Sequence, residues 1–247
     1  MIEAIAITDI GKKRKSNQDF AYVTRDKIGN LPNLFVVADG IGGHSGGELA
    51  SQWTIETIIN EIKTTASTDV EEVFSQALNA ANIKIRGKAR EKAALHGMGT
   101  TVVTATVDGN LLQVANVGDS RLYLADTKHK KIRQITVDHS LVEEMISMGE
   151  LARDEGRHHP EKHVITRAIG AKEKLQSDFF RIELETHELV LLCSDGLSDM
   201  LLDEEIGKIL YTKKSIEVKA KDLIKTANDK GGFDNITVIL IKVREKK

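Results

Sequence analysis

The chain has 247 residues, 40% of them hydrophobic and 29% charged, with a formal net charge of -2. That composition allows one sizeable core and lacks the strongly basic footprint of a general nucleic-acid or membrane-surface binder. The single cysteine, Cys193, excludes an intramolecular disulfide framework and a multi-cysteine zinc site. In chain order, runs rich in β-branched residues predict strands at 4–8, 34–38, 100–107, 111–117, 121–125, 131–135, 179–184, 188–194 and 236–243. Asp108-Gly109-Asn110 reads as a hairpin turn between two of them. Helical periodicity falls at 47–63, 70–93, 141–148 and 215–228. Two long helices followed by four strands with short turns do not fit the alternation of a parallel sheet. The expectation is α+β, helices packed on antiparallel sheets, in a single domain over 1–247. The opening Met1-Ile2-Glu3 has no cationic stretch ahead of an apolar one. The chain is therefore expected to be cytoplasmic.

Four aspartates share a placement. Asp39 ends "LFVVA", Asp119 follows "LLQVANV", Asp195 ends "LVLLCS" and Asp234 directly precedes "NITVILI". Taken singly, an acid at a strand end is a turn residue. Together they set several carboxylates at the tips of apolar strands, where like charges repel unless a cation neutralises them. An all-oxygen ligand set suits Mg²⁺ or Mn²⁺ better than zinc. A fifth acid, Asp19, lies near a basic cluster of Lys12, Lys13, Arg14 and Lys15. Alone, that cluster reads as a solvated loop; beside a metal site, a guanidinium is suited to grip a phosphate bidentately.

The glycine-dense "ADGIGGHSGGELAS" invites other readings. Gly43-His44-Ser45-Gly46-Gly47 matches the G-x-S-x-G nucleophile elbow. Yet Ser45 lies seven residues beyond Ala38, Asp39 takes the turn itself, and strand–helix alternation is missing. Ser45 reads instead as a small polar residue near a helix start. A nucleotide loop would need G-K-[ST] or G-x-G-x-x-G spacing, and neither is present. Cys193 sits in an apolar run with no arginine in the loop after it, so it reads as a core thiol rather than a nucleophile. His158, His159 and His163 fit no zinc spacing and read as a polar loop; Trp53 reads as core.

The ordered series "TDIGKKRKSNQD", "VVADGIGGHSGGELAS", "MGTT", "NVGDSRLY", "DHS", "ITRAIG", "LLCSDGLSD" and "DNITVI" resembles the motifs of metal-dependent serine/threonine protein phosphatases, the protein phosphatase 2C type in its compact bacterial form. The resemblance runs from Thr8 to Ile239. It implies a central antiparallel β-sandwich flanked by helices, two Mn²⁺ or Mg²⁺ ions per subunit, and a flap at about 141–166 beside the metal site. It implies that Asp39 bridges both ions, that Asp195 and Asp234 complete one, and that Asp19, through water, and the Gly40 carbonyl face the other. Glycine at 40 agrees, since no side chain blocks the approach of a main-chain oxygen. By the same resemblance Asp119, with Asp195, holds a weaker third ion and Arg14 grips the phosphate. The implied reaction is in-line attack on phosphoserine or phosphothreonine by a water shared between two ions. The implied partners are phosphoprotein substrates and an opposing serine/threonine kinase; from the charge balance and the lack of a long apolar run, no nucleic-acid or membrane partner is expected, and the chain is expected to be a monomer.

One departure stands out. Animal relatives carry Asp-Gly-His, with that histidine as the general acid, and Ile41 occupies the position here. The candidate proton sources are His44, three residues on, set against a structural role near a helix N-terminus, and water on a third ion near Asp119. A non-catalytic binding module on the same fold would have lost metal-ligand acids, and here Asp19, Asp39, Asp195 and Asp234 are all present.

Overall fold

The computed structural model describes residues 2–42 and 46–243. Its strands are β1 (Ile2–Asp9), β2 (Asp19–Thr24), β3 (Leu34–Ile41), β4 (Gly99–Thr100), β5 (Val102–Asp108), β6 (Leu111–Val117), β7 (Arg121–Asp126), β8 (Lys131–Gln134), β9 (Asp178–Glu183), β10 (Glu188–Cys193) and β11 (Ile236–Val243). The helices are α1 (Gly46–Thr64), α2 (Val70–Glu91), α3 (Leu141–Ser147), α4 (Arg153–Gly156), α5 (Asp195–Ser198), α6 (Asp203–Leu210) and α7 (Ile216–Asp229).

Two sheets form, one in the order β1-β11-β10-β7-β8 and the other β2-β3-β5-β6-β9, with β4 added on β3. Every pairing is antiparallel. Alternate residues of each strand take opposite faces, and here both faces are covered. One set meets between the sheets: Phe35, Val37, Val103 and Leu112 against Leu122, Leu192, Ile239 and Ile241. The other set of the six-stranded sheet, with Val36, Ala38 and Val117, lies under Ile58 and Ile62 of α1 and Phe74 and Leu78 of α2. On the five-stranded sheet Leu191, Cys193, Val238 and Leu240 lie under Leu210 of α6 and Leu223 of α7. Double coverage is why the central strands are continuous apolar runs rather than alternating ones. The result is the expected α+β architecture, a helix–sheet–sheet–helix stack.

Helix starts follow the caps. The Asp69 side chain accepts from Glu72 N–H at the start of α2, and Ser140 and Ser215 do the same for α3 and α7. Cys193 is fully buried, as a core thiol should be, and burial pushes its pKa up to about 12. Trp53 packs partly buried against the α1–α2 layer. Among the described residues no helix is long and apolar enough to cross a membrane.

Candidate metal centre

The acids collect at one end of the sandwich, because antiparallel strands deliver the end of β3, the β6–β7 turn, the end of β10 and the start of β11 to the same edge. Asp39 on β3 is paired in register with Asp19 on β2. Two threonines after Gly99 hold Asp39 by its main chain: Thr101 N–H and Thr100 Oγ1 donate to its carbonyl at 2.9 and 2.7 Å, and its own N–H donates to Thr101 Oγ1 at 3.2 Å. Thr101 Oγ1 also lies 2.7 Å from Ser120 Oγ, which fixes the turn carrying Asp119. That turn needs Gly118: its φ is +107°, and a Cβ there would sit 2.6 Å from the Thr101 side chain.

Asp19 is buried and accepts from Ser194 Oγ at 2.7 Å; the same hydroxyl accepts from Thr237 N–H at 3.0 Å, joining β10 to β11. Asp195 follows at the first turn of α5. Asn235 stitches the loop bearing Arg14 to the start of β11. Its amide donates to the Ile10 and Ser16 carbonyls at 2.9 and 3.0 Å, and its side-chain oxygen accepts from Gln18 N–H at 2.8 Å. Arg14, half-exposed at the rim, donates from Nη2 to Asp234 Oδ2 at 2.6 Å. Gly40 is buried, and a Cβ on it would lie 2.1 Å from the Gly47 carbonyl oxygen. The structure thus brings Asp19, Asp39, Gly40, Asp119, Asp195, Asp234 and Arg14 together. His44 and Ser45 lie outside the described residues.

The electrostatics call for a cation. Burial, followed by the charges of Asp19, Asp195 and Asp119, pushes Asp39 well above the usual carboxylate range. Burial dominates likewise at Asp119, with Asp195 and Asp138 adding to it. Asp195 is pushed up to about 6 by burial, then by Asp199 and Asp234. Asp19 is pushed up to about 7 by burial; hydrogen bonds from Thr237 and Ser194 pull it back, and the charges of Asp195 and Asp234 push it up again. One carboxylate oxygen on each of Asp19, Asp119 and Asp195 is buried with no hydrogen-bond partner. An oxygen-only set with orphaned buried lone pairs fits a hard divalent ion.

A stability prediction follows. A carboxyl whose folded-state pKa is raised binds more protons folded than unfolded, so its contribution is greatest below the unfolded value and is lost as pH rises through the folded one. For Asp19 that window runs from the ordinary value of 3.8 to about 7. In chelator, Asp19→Asn, which cannot ionise, is expected to gain melting temperature relative to wild type as pH rises from about 5 to about 8. Thermal unfolding at both pH values checks it; a constant difference would show that Asp19 stays ionised in the metal-free fold.

Sequence reasoning missed several neighbours. Asp199 lies four residues after Asp195, and His163 of the 141–166 segment reaches both, with one donor atom from each of the three within 4.8 Å of the others. His163 stays exposed on that polar segment, with Nδ1 3.5 Å from Asp199 Oδ2. Lys162 Nζ donates to Asp199 Oδ2 at 2.9 Å, and Arg157 Nη2 donates to the Ser198, Asp199 and Leu201 carbonyls at 2.8, 3.1 and 2.9 Å. These bonds seat the segment over a groove of about 760 Å³ that runs from Asp119 and Asp195 to Val142, Ile146 and His158. The i, i+4 spacing of the two acids in "SDGLSD" is the one signal for Asp199 in the sequence. Arg121 grips Asp138 through Nε and Nη2, the latter at 2.6 Å, behind Asp119.

The model of the protein phosphatase 2C family matches residues 11–237. The chain belongs to that family. It is 39% identical over 239 residues to the serine/threonine phosphatase stp of Listeria welshimeri, covering 95% of this chain and 93% of that one. Among solved structures, the serine/threonine phosphatase of S. agalactiae superposes with a TM-score of 0.90 at 34% identity, covering 99% of this chain and 100% of that one. The catalytic domain of the serine/threonine protein phosphatase PstP, solved in complex with two manganese ions, superposes with a TM-score of 0.85 at 31% identity, with 99% of each chain covered. This member is accordingly a metal-dependent protein-serine/threonine phosphatase.

Proposed function

We propose that this chain removes phosphate from phosphoserine and phosphothreonine of proteins at the Asp39 end of the sandwich, as one catalytic unit spanning the chain. The observation that carries the reading is the set of orphaned carboxylate oxygens on Asp19, Asp119 and Asp195 around Asp39. In this reading Asp39, Asp195 and Asp234, with the Gly40 carbonyl and, through water, Asp19, would hold two Mn²⁺ or Mg²⁺ ions, and Asp119 with Asp195 would hold a weaker third. Bound there, the ions would lower the pKa of a water and offset charge on the phosphoryl oxygens.

The chain supplies the positioning. Arg14 stands at the rim with its guanidinium already on Asp234, so a phosphoryl group beside the acids would find a planar donor pair in reach. Thr100 and Thr101 fix the Asp39 main chain, limiting the reorganisation needed when charge develops. Ile41 has no proton to give the leaving alkoxide, so His44, or water on an ion near Asp119, would supply it. The groove under the 141–166 segment would receive the polypeptide flanking the phosphorylated side chain. The substrates are cytoplasmic phosphoproteins, the counterpart is a serine/threonine kinase, and the enzyme acts as a monomer without nucleic acid or membrane.

Chelator is expected to abolish hydrolysis of a phosphothreonine peptide, with Mn²⁺ restoring it. Full turnover in chelator would overturn this reading.

A further inference from the structure

At the opposite end of the sandwich, two turns bring a second set of donors together, and its chemistry differs from that of the acid centre. Asp126 ends β7, roughly 17 Å along the strand from Arg121 at about 3.3 Å per residue. His129 lies in the β7–β8 turn, and His187 lies in the turn between β9 and β10. One donor atom from each of Asp126, His129 and His187 lies within 4.8 Å of the other two. Asp126 Oδ2 is 2.7 Å from His129 Nδ1, and Asp126 Oδ1 is 3.3 Å from His187 Nε2. Glu185 brings a fourth donor, with Oε2 3.1 Å from the same His187 nitrogen. The two imidazoles meet edge to face, with ring centroids 5.4 Å apart.

Three features make this more than a surface ion-pair cluster. First, His187 Nε2 is buried and makes no hydrogen bond, although two carboxylate oxygens lie close to it. A ring nitrogen facing carboxylates off hydrogen-bond geometry is what a shared ion would satisfy. Second, the donors are held from behind. Asp126 Oδ1 accepts from the Lys128 and His129 N–H groups at 2.9 and 2.8 Å, and the His187 carbonyl accepts from Thr127 N–H and Oγ1 at 3.1 and 2.7 Å. Such outer contacts orient ligands. Third, arms of about 2.0–2.1 Å in tetrahedral geometry separate ligand atoms by about 3.3 Å; the separations around His187 Nε2 are 3.1 and 3.3 Å, and the 2.7 Å hydrogen bond between His129 Nδ1 and Asp126 Oδ2 is the one an ion would replace.

We propose that Asp126, His129 and His187, with Glu185 as the fourth donor, form a structural zinc-class site at the end of the sandwich remote from catalysis. Two imidazoles and two carboxylates suit a borderline ion such as Zn²⁺, whereas the all-oxygen acid centre selects hard ions. β7 and β10 belong to the five-stranded sheet and β9 to the six-stranded one. An ion here therefore staples the β7–β8 hairpin to the connection that crosses between sheets. The assignment is independent of the catalytic reading.

The test uses the full chain, stripped of metal and reloaded with saturating Mg²⁺ so that the oxygen centre is filled. Co²⁺ is then titrated in as a coloured probe for zinc. Wild type is expected to develop the intense visible bands of four-coordinate nitrogen–oxygen cobalt, which Zn²⁺ then bleaches. Zn²⁺ at about 100-fold over its Kd is expected to raise the melting temperature by roughly 5–10 °C. The double variant His129→Gln/His187→Gln is expected to keep its Mg²⁺-dependent phosphatase activity and lose both signals, while His163→Gln, near the acid centre, keeps both. No bands in wild type, equal bands or an equal melting shift in the double variant, or loss of the signals in His163→Gln would each overturn the assignment.

Discussion

Asp39→Asn is expected to lower turnover of a phosphothreonine peptide by about 10³-fold or more, the effect of losing roughly 4 kcal/mol of metal-borne transition-state stabilisation. Ser45→Ala is expected to keep most of it. The aspartate variant is informative because so little else changes. Asparagine has the same shape, and the clasp on residue 39 from Thr100 and Thr101 is made to its main chain. The fold should therefore persist. Without metal it should even gain stability, since a neutral amide removes one of the charges that Asp19, Asp195 and Asp119 press against. Two readouts accompany turnover: the melting temperature in chelator, expected to be unchanged or higher, and the rise on adding Mn²⁺, expected to be largely lost. An inactive serine variant beside an active aspartate variant would return the glycine-rich turn to the nucleophile-elbow reading.

The legible part of this site was the part written along single strands. An acid at the tip of an apolar run is a local signal: Asp39, Asp119 and Asp195 carried it at the end of a run and Asp234 just before one. So were β6 and β11, whose bounds in the structure are those read from the apolar runs at 111–117 and 236–243. What stayed hidden depends on partners distant in sequence. Nothing in "CSDG" announces that Ser194 donates to Asp19 across 175 positions. Nothing in "DNIT" announces that Asn235 ties down the loop bearing Arg14. β2 escaped because it is a short edge strand in a polar setting, with Phe20 at its surface, so its alternation is weak. α6 escaped because eight residues supply only two turns of periodicity, and its burial under α7 and the sheet, rather than propensity, makes it a helix. The histidines at 158–163 read as a polar loop because their spacing along the chain fits no ligand motif. It is the folding of that segment onto α5 that sets His163 beside Asp199.

Gly40→Ala is expected to cost on the order of 3 kcal/mol, lowering the melting temperature by roughly 6–12 °C for a domain of this size, and to take most of the activity with it. The backbone at this position is not the obstacle; space is. A Cβ on residue 40 would meet the Gly47 carbonyl oxygen at 2.1 Å and the Gln18 carbonyl oxygen at 2.7 Å. Both are main-chain atoms, so no side chain can swing aside. Relief requires α1 to move off β3, or the strand carrying Asp19 to move off Asp39, since Gly40 N–H donates to that same Gln18 carbonyl at 3.1 Å. Either movement displaces a carboxylate or the Gly40 carbonyl from the metal centre, so stability and activity should fall together. Gly87, on α2 with nothing within 4 Å of its would-be Cβ, supplies the control: Gly87→Ala should be stabilising by about 0.5–1 kcal/mol, as expected for alanine in a helix interior. A Gly40→Ala protein that melts with wild type would show that β3 and α1 are not packed at the separation described. One that melts early yet keeps wild-type turnover would show that neither the Gly40 carbonyl nor the spacing of Asp19 and Asp39 is needed to hold the ions.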